Sequence, residues 1–226
     1  RDRRGCTQIK VDINQAKNQI KVYNNGKSVP VQIHKTHGCY VPELIFGHLL
    51  TSSNYDDSQK KVTGGRNGFG AKLANVFSKK FEITCADASK KKLYFQQFSK
   101  NMGVKGEPKI KDFPADAIEY TQVMFEPDLS KFKMKTLDDD IVALMKKRVY
   151  DLAGCSPSNV NVYLNGKKIQ GIKNFSDYIE LYFRKFGEGQ KPTKIYEKVN
   201  QRWEVCATVS ESSSFKQVSF VNSICT

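Results

Sequence analysis

Residues 64–75 combine the residue types and spacing best suited to binding a phosphate group: Gly-Gly-Arg-Asn-Gly-Phe-Gly-Ala-Lys-Leu-Ala-Asn. Glycines let a backbone bend sharply and approach a ligand closely, and here they stand at positions 65, 68 and 70. The residues that follow predict a helix whose apolar face is formed by Leu73, Val76 and Phe77. A glycine turn that leads into a helix N-terminus offers an anion free N–H groups and partial positive charge, to which Arg66 and Lys72 add full charges.

Two well-known phosphate-binding motifs do not fit this segment. A P-loop needs a lysine directly after its second glycine, and although Gly65 and Gly70 have the right spacing, Ala71 stands in the lysine's place. Leu73 supplies no hydroxyl for magnesium, and it also occupies the third glycine position of the dinucleotide-binding fingerprint. The alternative interpretation is an ordinary loop with a glycine helix cap, which is common in α/β folds.

The formal net charge is +14, from 37 Lys and Arg against 23 Asp and Glu. This balance favours polyanionic partners, but it does not distinguish nucleotides from nucleic acid. Much of the charge lies in short clusters at 79–80, 90–92, 131–135 and 146–148. A solvated face is the alternative interpretation of any one cluster.

With 226 residues, 39% of them hydrophobic, the chain is long enough for one large domain, or for one domain and part of another. No apolar run approaches the ~18–20 residues of a membrane span, and no signal-peptide pattern opens the chain, so no membrane partner is expected. The sequence opens on Arg1 rather than Met, and residues 220–226 resemble a strand still in progress. We therefore expect a fragment at both ends.

Six cysteines lie far apart and form no Cys-x-x-Cys pair, and the three histidines show no metal-ligand spacing with them. A tetrahedral zinc site needs such pairs, so no metal site is predicted. Cys85, Cys155 and Cys206 fall among apolar residues, which favours free, mostly buried thiols. That state is typical of a reducing compartment.

The elements that must position the glycine segment are mostly strands. Alternating patterns predict strands at 7–13 paired with the stretch around 20–22, 81–86 paired with 93–98, 120–125, 160–164 before an Asn-Gly turn, and 202–209 paired with 215–224. Helices are predicted at 42–50, after the glycine turn, at 138–152 and at 175–183. The fold class is therefore α+β, with a mixed, largely antiparallel sheet and helices on one face.

Two of these elements have details that bear on later sections. The helix at 138–152 is expected to be capped by Thr136 and stopped by Gly154, with an apolar face formed by Ile141, Leu144, Met145 and Leu152. Polar residues 51–61 lead into the glycine segment, where they would act as a lid over a phosphate site.

The sequence around the glycine segment is more specific than the segment itself. Two blocks read Tyr-Val-Pro-Glu-Leu-Ile-Phe-Gly-His-Leu-Leu-Thr-Ser-Ser-Asn-Tyr-Asp-Asp at 40–57 and Lys-Lys-Val-Thr-Gly-Gly-Arg-Asn-Gly-Phe-Gly-Ala-Lys-Leu at 60–73. Shorter blocks of the same pattern lie at 128–134, 140–145, 202–206 and 219–224. From about residue 8 to its end, the chain closely resembles the ATPase region of eukaryotic type II DNA topoisomerases.

This resemblance implies a fold and a domain division. The superfamily includes gyrase, the Hsp90 chaperone, the mismatch-repair protein MutL and histidine kinases, and it shares a Bergerat-type ATP-binding fold. Its ATP pocket lies between a mixed sheet and helices, beneath a mobile lid. Residues 1–171 would be the ATP-binding domain without its N-terminal helix, and residues 172–226 would begin a second, α/β transducer domain.

The resemblance also implies roles for individual residues. Asn24 matches a position on the adenine side, and Thr121 matches a threonine beside the adenine. Positions that contact ribose and phosphates correspond to Ser52, Ser53 and Asn54. The lid that wraps the triphosphate corresponds to Arg66, Asn67, Gly68, Phe69, Gly70, Ala71 and Lys72. Simpler alternatives are a plain turn at Asn24, a helix cap or loop at 52–54, and an ordinary strand residue at Thr121.

One position departs from the family pattern inside the matched region. The family turn usually reads Asn-Asn-Gly-x-Gly, and its last glycine is Ser28 here. If that position required a positive φ or lay against adenine, a serine would strain the turn or crowd the pocket. Because the rest of the pocket pattern is intact, we expect the serine to be tolerated.

The resemblance places the catalytic residues outside this chain. In the family, a general-base glutamate and a magnesium-binding asparagine share a helix just before the segment that matches residue 1, and a Gln-Thr-Lys loop comes from farther along the transducer. ATP and Mg²⁺ are therefore the expected cofactors, with the Mg²⁺ ligand beyond these residues. We expect the 226 residues alone not to turn over ATP, because phosphoryl transfer depends on the base and the metal.

The resulting functional hypothesis is the ATP-binding part of a type II DNA topoisomerase. The family passes one DNA duplex through a transient double-strand break in another, which implies double-stranded DNA as a partner, a homodimer through the ATPase region and a nuclear location. A chaperone or signalling kinase of the same superfamily is one alternative. A basic nucleic-acid-binding module is another, which the net charge supports although no groove-reading motif is present.

Overall fold

A computed structural model describes residues 5–49, 51, 68–183, 192–200, 202–209 and 214–226. These residues form a nine-stranded sheet, two small two-stranded sheets and four α-helices, which confirms the predicted α+β class. None of the described helices is long and apolar enough to cross a membrane.

The strands are Gln8–Asn14 (β1), Gln19–Asn25 (β2), Ser78–Asp87 (β3), Lys92–Ser99 (β4), Val104–Lys105 (β5), Lys109–Asp112 (β6), Tyr120–Pro127 (β7), Asn161–Leu164 (β8), Lys167–Lys168 (β9), Lys194–Asn200 (β10), Trp203–Thr208 (β11), Phe220–Val221 (β12) and Ile224–Cys225 (β13). The α-helices are Val41–Gly47 (α1), Gly70–Val76 (α2), Asp139–Cys155 (α3) and Phe175–Ile179 (α4). Short 3-10 helices cover Leu129–Phe132 and Glu180–Phe183.

The main sheet is mixed but largely antiparallel, as predicted. Its strand order is β5-β4-β3-β7-β2-β1-β8-β9, with β6 also paired to β4, and the β1–β8 pair is parallel. The predicted hairpins β1–β2, β3–β4 and β8–β9 are present. Asn165 and Gly166 turn β8 into β9 at φ values of 48° and 76°, which this residue pair adopts readily.

Helices α1 and α3 pack on the same face of the sheet. Ile20 and Phe81 both lie opposite Phe125 in the strand register, so their side chains share one face. Phe46 of α1 belongs to the core cluster around Phe81, and Val142 of α3 belongs to the cluster around Ile20. The prediction of helices on one face is therefore confirmed, and β7 lies at the centre of the covered face.

Helix α3 has a different cap from the one predicted. Asp138, not Thr136, is the N-cap residue, and its Oδ1 accepts the Ile141 N–H at 2.9 Å. A carboxylate at that position reaches the free donors of the first turn, which Thr136 lies too early in the chain to serve.

The buried face of α3 is also only partly the predicted one. Ile141 and Met145 pack against the core cluster, as expected, but Leu144 is 47% exposed. Val142 and Val149 are buried instead. The helix contacts two separate clusters along its length, and a single apolar stripe read from the sequence does not capture both.

Gly154 does not end α3, which continues to Cys155. It lies inside the helix because the ring of Tyr178 from α4 packs directly on it. A Cβ added at Gly154 would lie 2.5 Å from both Cβ and Cγ of Tyr178. The glycine therefore permits close helix packing rather than a helix stop.

This contact predicts a large stability effect for Gly154→Ala. We expect the free energy of unfolding to fall by about 3 kcal/mol, because overpacking outweighs the better helix propensity of alanine. Urea denaturation followed by circular dichroism measures the change. Gly70→Ala is the matched control, since its added Cβ has no neighbour within 4 Å in the part of the chain that the structure describes. Equal effects of the two substitutions would contradict the packing at Gly154.

The C-terminal strands pair differently from the prediction. Trp203–Thr208 (β11) pairs with Lys194–Asn200 (β10), not with residues 215–224. Near the chain end, β12 turns back onto β13 through Asn222 and Ser223, both at positive φ. Alternation identifies strands but not their partners, which explains the error. The domain boundary after residue 171 stays a prediction.

Candidate functional site

Two of the predicted site residues lie side by side on the helix-covered face of the sheet. Asn24 at the end of β2 is directly opposite Thr121 on β7, and Thr121 is directly opposite Cys85 on β3. Residues opposite each other in antiparallel strands point to the same face, so the three side chains form a row across the sheet. The fold thus brings together the two residues that the resemblance assigns to the adenine side.

The paired asparagines after β2 have separate roles. Asn25 is buried, and its Oδ1 accepts the N–H groups of Thr7 at 2.9 Å and Gln8 at 2.7 Å. Asn24 is half-buried, and its amide donates to the Asn25 carbonyl at 3.2 Å. Asn25 therefore fixes the start of β1, whereas Asn24 faces the row with Thr121.

Gly26 completes this turn under tight steric limits. Its φ is +96°, and a Cβ added there would lie 2.7 Å from the backbone nitrogen of Cys6. Only glycine satisfies both conditions. The sequence pattern Asn-Asn-Gly is therefore required by the backbone at its third position.

Ser28 occupies the position where the family pattern has glycine, and its backbone is not in the left-handed region. The residue is buried, and its N–H donates to Glu119 Oε2 at 3.2 Å. Its hydroxyl donates to the Tyr120 carbonyl at 2.8 Å and lies 3.4 Å from Thr121 Oγ1. The backbone tolerates the serine, which fastens the turn after β2 to the first residues of β7.

Cys85 lies at the core end of the row and is fully buried. Burial raises the pKa of its thiol to about 12, so the group is protonated and uncharged at neutral pH. Hydrogen bonds with the side chains of Thr121 and Ser28 oppose this rise in the pKa, and the nearby Asp87 carboxyl adds to it. The neighbours of Thr121 on this side therefore include an uncharged thiol and the Ser28 hydroxyl.

The glycine segment has the backbone geometry expected of it at Gly68, where φ is +66°. Helix α2 begins two residues later at Gly70, and Phe69, Gly70 and Ala71 are exposed. No atom of the described residues lies within 4 Å of a Cβ placed on Gly70.

Lys72 is buried, although it is the cation that the sequence assigns to a phosphate. Its Nζ donates to the carbonyl oxygens of Thr51 at 2.6 Å and Gly68 at 2.9 Å. Burial lowers the pKa of this ammonium below its ordinary value. Within the described residues no carboxylate pairs with it. Lys72 therefore ties the turn at Gly68 to Thr51, shortly after α1, through neutral carbonyl oxygens.

The predicted apolar face of α2 is wrong. Leu73 and Phe77 are 46% and 38% exposed, and the buried positions are Lys72 and Asn75. The Asn75 amide donates to the Phe46 carbonyl at 3.0 Å. Helix α2 lies against α1. Carbonyl oxygens at the end of α1 lack a donor within the helix, so polar side chains that can donate are favoured there over apolar ones.

Five predicted site residues lie outside the described residues. They are Ser52, Ser53, Asn54, Arg66 and Asn67. Most of the polar stretch 51–61, predicted as a lid, lies outside them as well. Their assignments stay predictions.

Sequence reasoning missed one polar cluster beside α1. Cys39, Glu43 and His48 place ligand-type atoms within 4.8 Å of one another, the one such group among the described residues. Glu43 is buried and accepts from Lys105 at 2.7 Å and from Gln96 at 3.1 Å. The sequence signal that could have revealed this cluster is Glu43, a charged residue within the otherwise apolar helix α1.

The cation of this cluster is supplied by the chain itself. Burial would raise the pKa of Glu43, but hydrogen bonds from Lys105 and Gln96 outweigh it and hold the pKa below the ordinary value. The ammonium of Lys105 thus pairs with the Glu43 carboxylate and balances its charge. We assign the cluster to stabilising the contact between α1 and β5.

Comparison with curated proteins identifies close relatives of the whole chain. It is 56% identical over 220 residues to DNA topoisomerase 2-alpha of Gallus gallus, covering 96% of this chain and 14% of the relative. No protein-family model matches the chain. The chain therefore spans about one seventh of the length of this relative.

The chain is also similar to solved structures of topoisomerase II ATPase regions. The ATPase region of Saccharomyces cerevisiae topoisomerase II has a TM-score of 0.91 at 48% identity, covering 98% of this chain and 56% of that one. The ATPase and transducer domains of DNA topoisomerase II from Balamuthia mandrillaris have a TM-score of 0.90 at 42% identity, with coverages of 98% and 55%. The fold and the resemblance predicted from the sequence are both confirmed.

Proposed function

We propose that this chain, a homologue of the ATPase region of eukaryotic DNA topoisomerase II, is the ATP-binding part of a type II DNA topoisomerase. The observation that carries the proposal is the buried Lys72 ammonium, which lies beside the left-handed turn at Gly68 and has no carboxylate partner among the described residues. The described acceptors of this ammonium are neutral carbonyl oxygens, which leave its positive charge to attract an arriving polyphosphate.

Three groups of residues would contact different parts of the nucleotide. Asn24 and Thr121 would contact the adenine side, where an amide and a hydroxyl suit the polar edges of a base. Positions 52–54 would contact ribose and phosphates. The segment from Arg66 to Lys72 would wrap the triphosphate, with backbone N–H groups directed at phosphate oxygens.

Magnesium would enter with the phosphates, and no residue of this chain is assigned to hold it. The resemblance assigns the metal ligand and the general base to a helix before the segment that matches residue 1. The proposal is therefore that these 226 residues bind ATP without turning it over. The steady-state ATPase rate of the 226-residue chain should be negligible beside that of the intact protein, and comparable rates would contradict this.

The role in the intact protein would be that of an ATP-operated gate on DNA. ATP binding would favour the closed form of two paired ATPase regions, so that differential affinity for the two states drives closure. Double-stranded DNA, a second copy of the protein and a nuclear location are parts of this proposal. The relatives described above support a topoisomerase over a chaperone, a kinase or a plain nucleic-acid-binding module.

Strand passage tests the proposed activity directly. The intact protein should unlink interlocked DNA circles only when ATP is present, because separation requires one duplex to cross another. A nicked, non-interlocked circle of the same sequence controls for simple binding. Unlinking without ATP, or none with ATP, would contradict the proposal.

A further inference from the structure

One row of side chains crosses the main sheet on the face opposite α1 and α3. Side chains alternate between the two faces along a strand, so the residues that precede Asn24 and Cys85 and follow Thr121 point away from the helices. The strand register continues this row through eight strands, and we call it the outer row: Lys168, Tyr163, Lys10, Tyr23, Gln122, Thr84, Phe95 and Lys109. At about 4.8 Å between neighbouring strands, the outer row is about 34 Å long.

The outer row is accessible along its length. Lys168 and Lys109 are exposed at its two ends, and Lys10 is exposed between them. The three core clusters formed by the described residues contain none of its members, because their strand residues come from the helix-covered face. The row therefore presents a surface that the described helices leave free.

The outer row is also positively charged. It contains three lysines and no acidic residue, and none of these lysines forms a salt bridge among the residues that the structure describes. The carboxylates of the adjacent row already have lysine partners. Asp12 pairs with Lys21 at 2.9 Å, and Glu82 pairs with Lys80 at 2.7 Å. The charge of the outer row thus attracts an anionic partner that extends across the sheet.

The contacts of Lys10 favour a phosphate backbone over stacked bases as that partner. Its Nζ lies 5.1 Å from the ring centroid of Tyr23 and 5.8 Å from that of Tyr163. An unpaired base would have to displace this ammonium before it could stack on either ring. The groups that the row offers are ammonium, hydroxyl and amide donors, the last two from the tyrosines, Thr84 and Gln122. These are the side-chain types that contact phosphates in protein–DNA complexes.

We propose that the outer row is a contact surface for the phosphate backbone of duplex DNA. Its length of about 34 Å corresponds to about one turn of the double helix. The inference rests on the proposed function for the identity of the partner, but it assigns a surface separate from the ATP site. Asn24 and Thr121 lie on the opposite face of the same strands, so DNA and nucleotide can bind at the same time.

Site-specific photo-crosslinking of the intact protein to labelled duplex DNA tests the inference. Tyr163→p-benzoylphenylalanine places a photoreactive ring in the outer row, beside Lys10 and Lys168. Leu144→p-benzoylphenylalanine is the matched control, because Leu144 is 47% exposed on α3, away from the row. We expect about tenfold more crosslinked DNA from position 163 than from position 144, since only the former lies against the phosphates.

Charge removal then identifies the groups that hold the DNA. Combining Lys10→Gln, Lys109→Gln and Lys168→Gln should lower the crosslinking at position 163 by about tenfold, because three phosphate contacts are lost. The matched control removes the same charge from three exposed lysines outside the row, through Lys17→Gln, Lys146→Gln and Lys167→Gln, and should change the yield by less than about twofold.

The possible outcomes separate this inference from the proposed function. Equal crosslinking at positions 163 and 144, or equal effects of the two triple substitutions, would overturn the outer row alone if the protein still unlinked DNA circles with ATP. Stronger crosslinking to single-stranded than to duplex DNA would overturn the assignment to duplex. Failure of the unsubstituted protein to unlink circles would overturn the proposed function.

Discussion

Replacing Lys72 with methionine is expected to lower the affinity of the intact protein for a non-hydrolysable ATP analogue by about 10- to 100-fold. A charge-assisted hydrogen bond is worth about 1.5–3 kcal/mol, and tenfold in affinity corresponds to 1.4 kcal/mol. The ammonium lies beside the turn at Gly68 without a carboxylate partner among the described residues. Methionine retains an unbranched apolar stem of similar length and removes only the charge and its donors.

Lys79→Met is the matched control for Lys72→Met. Lys79 is exposed on β3 and loses the same charge in the substitution. We expect it to leave analogue affinity within about twofold of the starting value, since an exposed charge is screened by salt. Adenosine affinity should be similar in both variants, because the loss belongs to the phosphates. Unchanged analogue affinity in Lys72→Met would show that Lys72 only braces Thr51 and Gly68.

Gly68→Val is expected to reduce analogue affinity by at least about tenfold. At φ +66°, a β-branched residue costs roughly 1–2 kcal/mol of backbone strain, which relaxation of the turn would relieve. Relaxation would move the Gly68 carbonyl that accepts from Lys72 and the N–H groups that follow it. Isothermal titration with the analogue measures the loss.

Gly166→Val separates this effect from backbone strain in general. Gly166 has a similar φ of +76° in the β8–β9 turn, and an added Cβ would have no described atom within 4 Å. It should lower stability by a similar amount and leave analogue affinity unchanged. If Gly68→Val also left affinity unchanged, the assignment of Gly68 to the nucleotide lid would be wrong.

The central sheet could be predicted because local patterns specify it. The Asn165-Gly166 turn and the alternation of apolar residues in β1 and β2 determine hairpins between neighbours in sequence. The same reasoning failed near the C-terminus, where the partner of β11 precedes it rather than follows it. Alternation alone contains no information on which neighbour a strand selects.

The candidate site was predictable in its residue types but not in its detail. The glycine at position 68 follows from backbone geometry that the sequence pattern shows. Lys72 and Asn75 are buried because they donate to backbone carbonyl oxygens at α1, at Thr51 and at the turn before α2. Helical periodicity in the sequence cannot predict the position of these acceptors. The hydroxyl contact of Ser28 with β7 joins residues more than ninety positions apart and required the fold.

Equilibrium binding of a fluorescent, non-hydrolysable ATP analogue to the intact protein, with and without duplex DNA, tests the central claim most directly. The account predicts saturable binding of one analogue per chain that excess ATP displaces and duplex DNA does not. Displacement by DNA would show that the Lys72 ammonium, beside the turn at Gly68, binds nucleic acid instead of ATP. No saturable binding at all would contradict the assignment of this site to ATP.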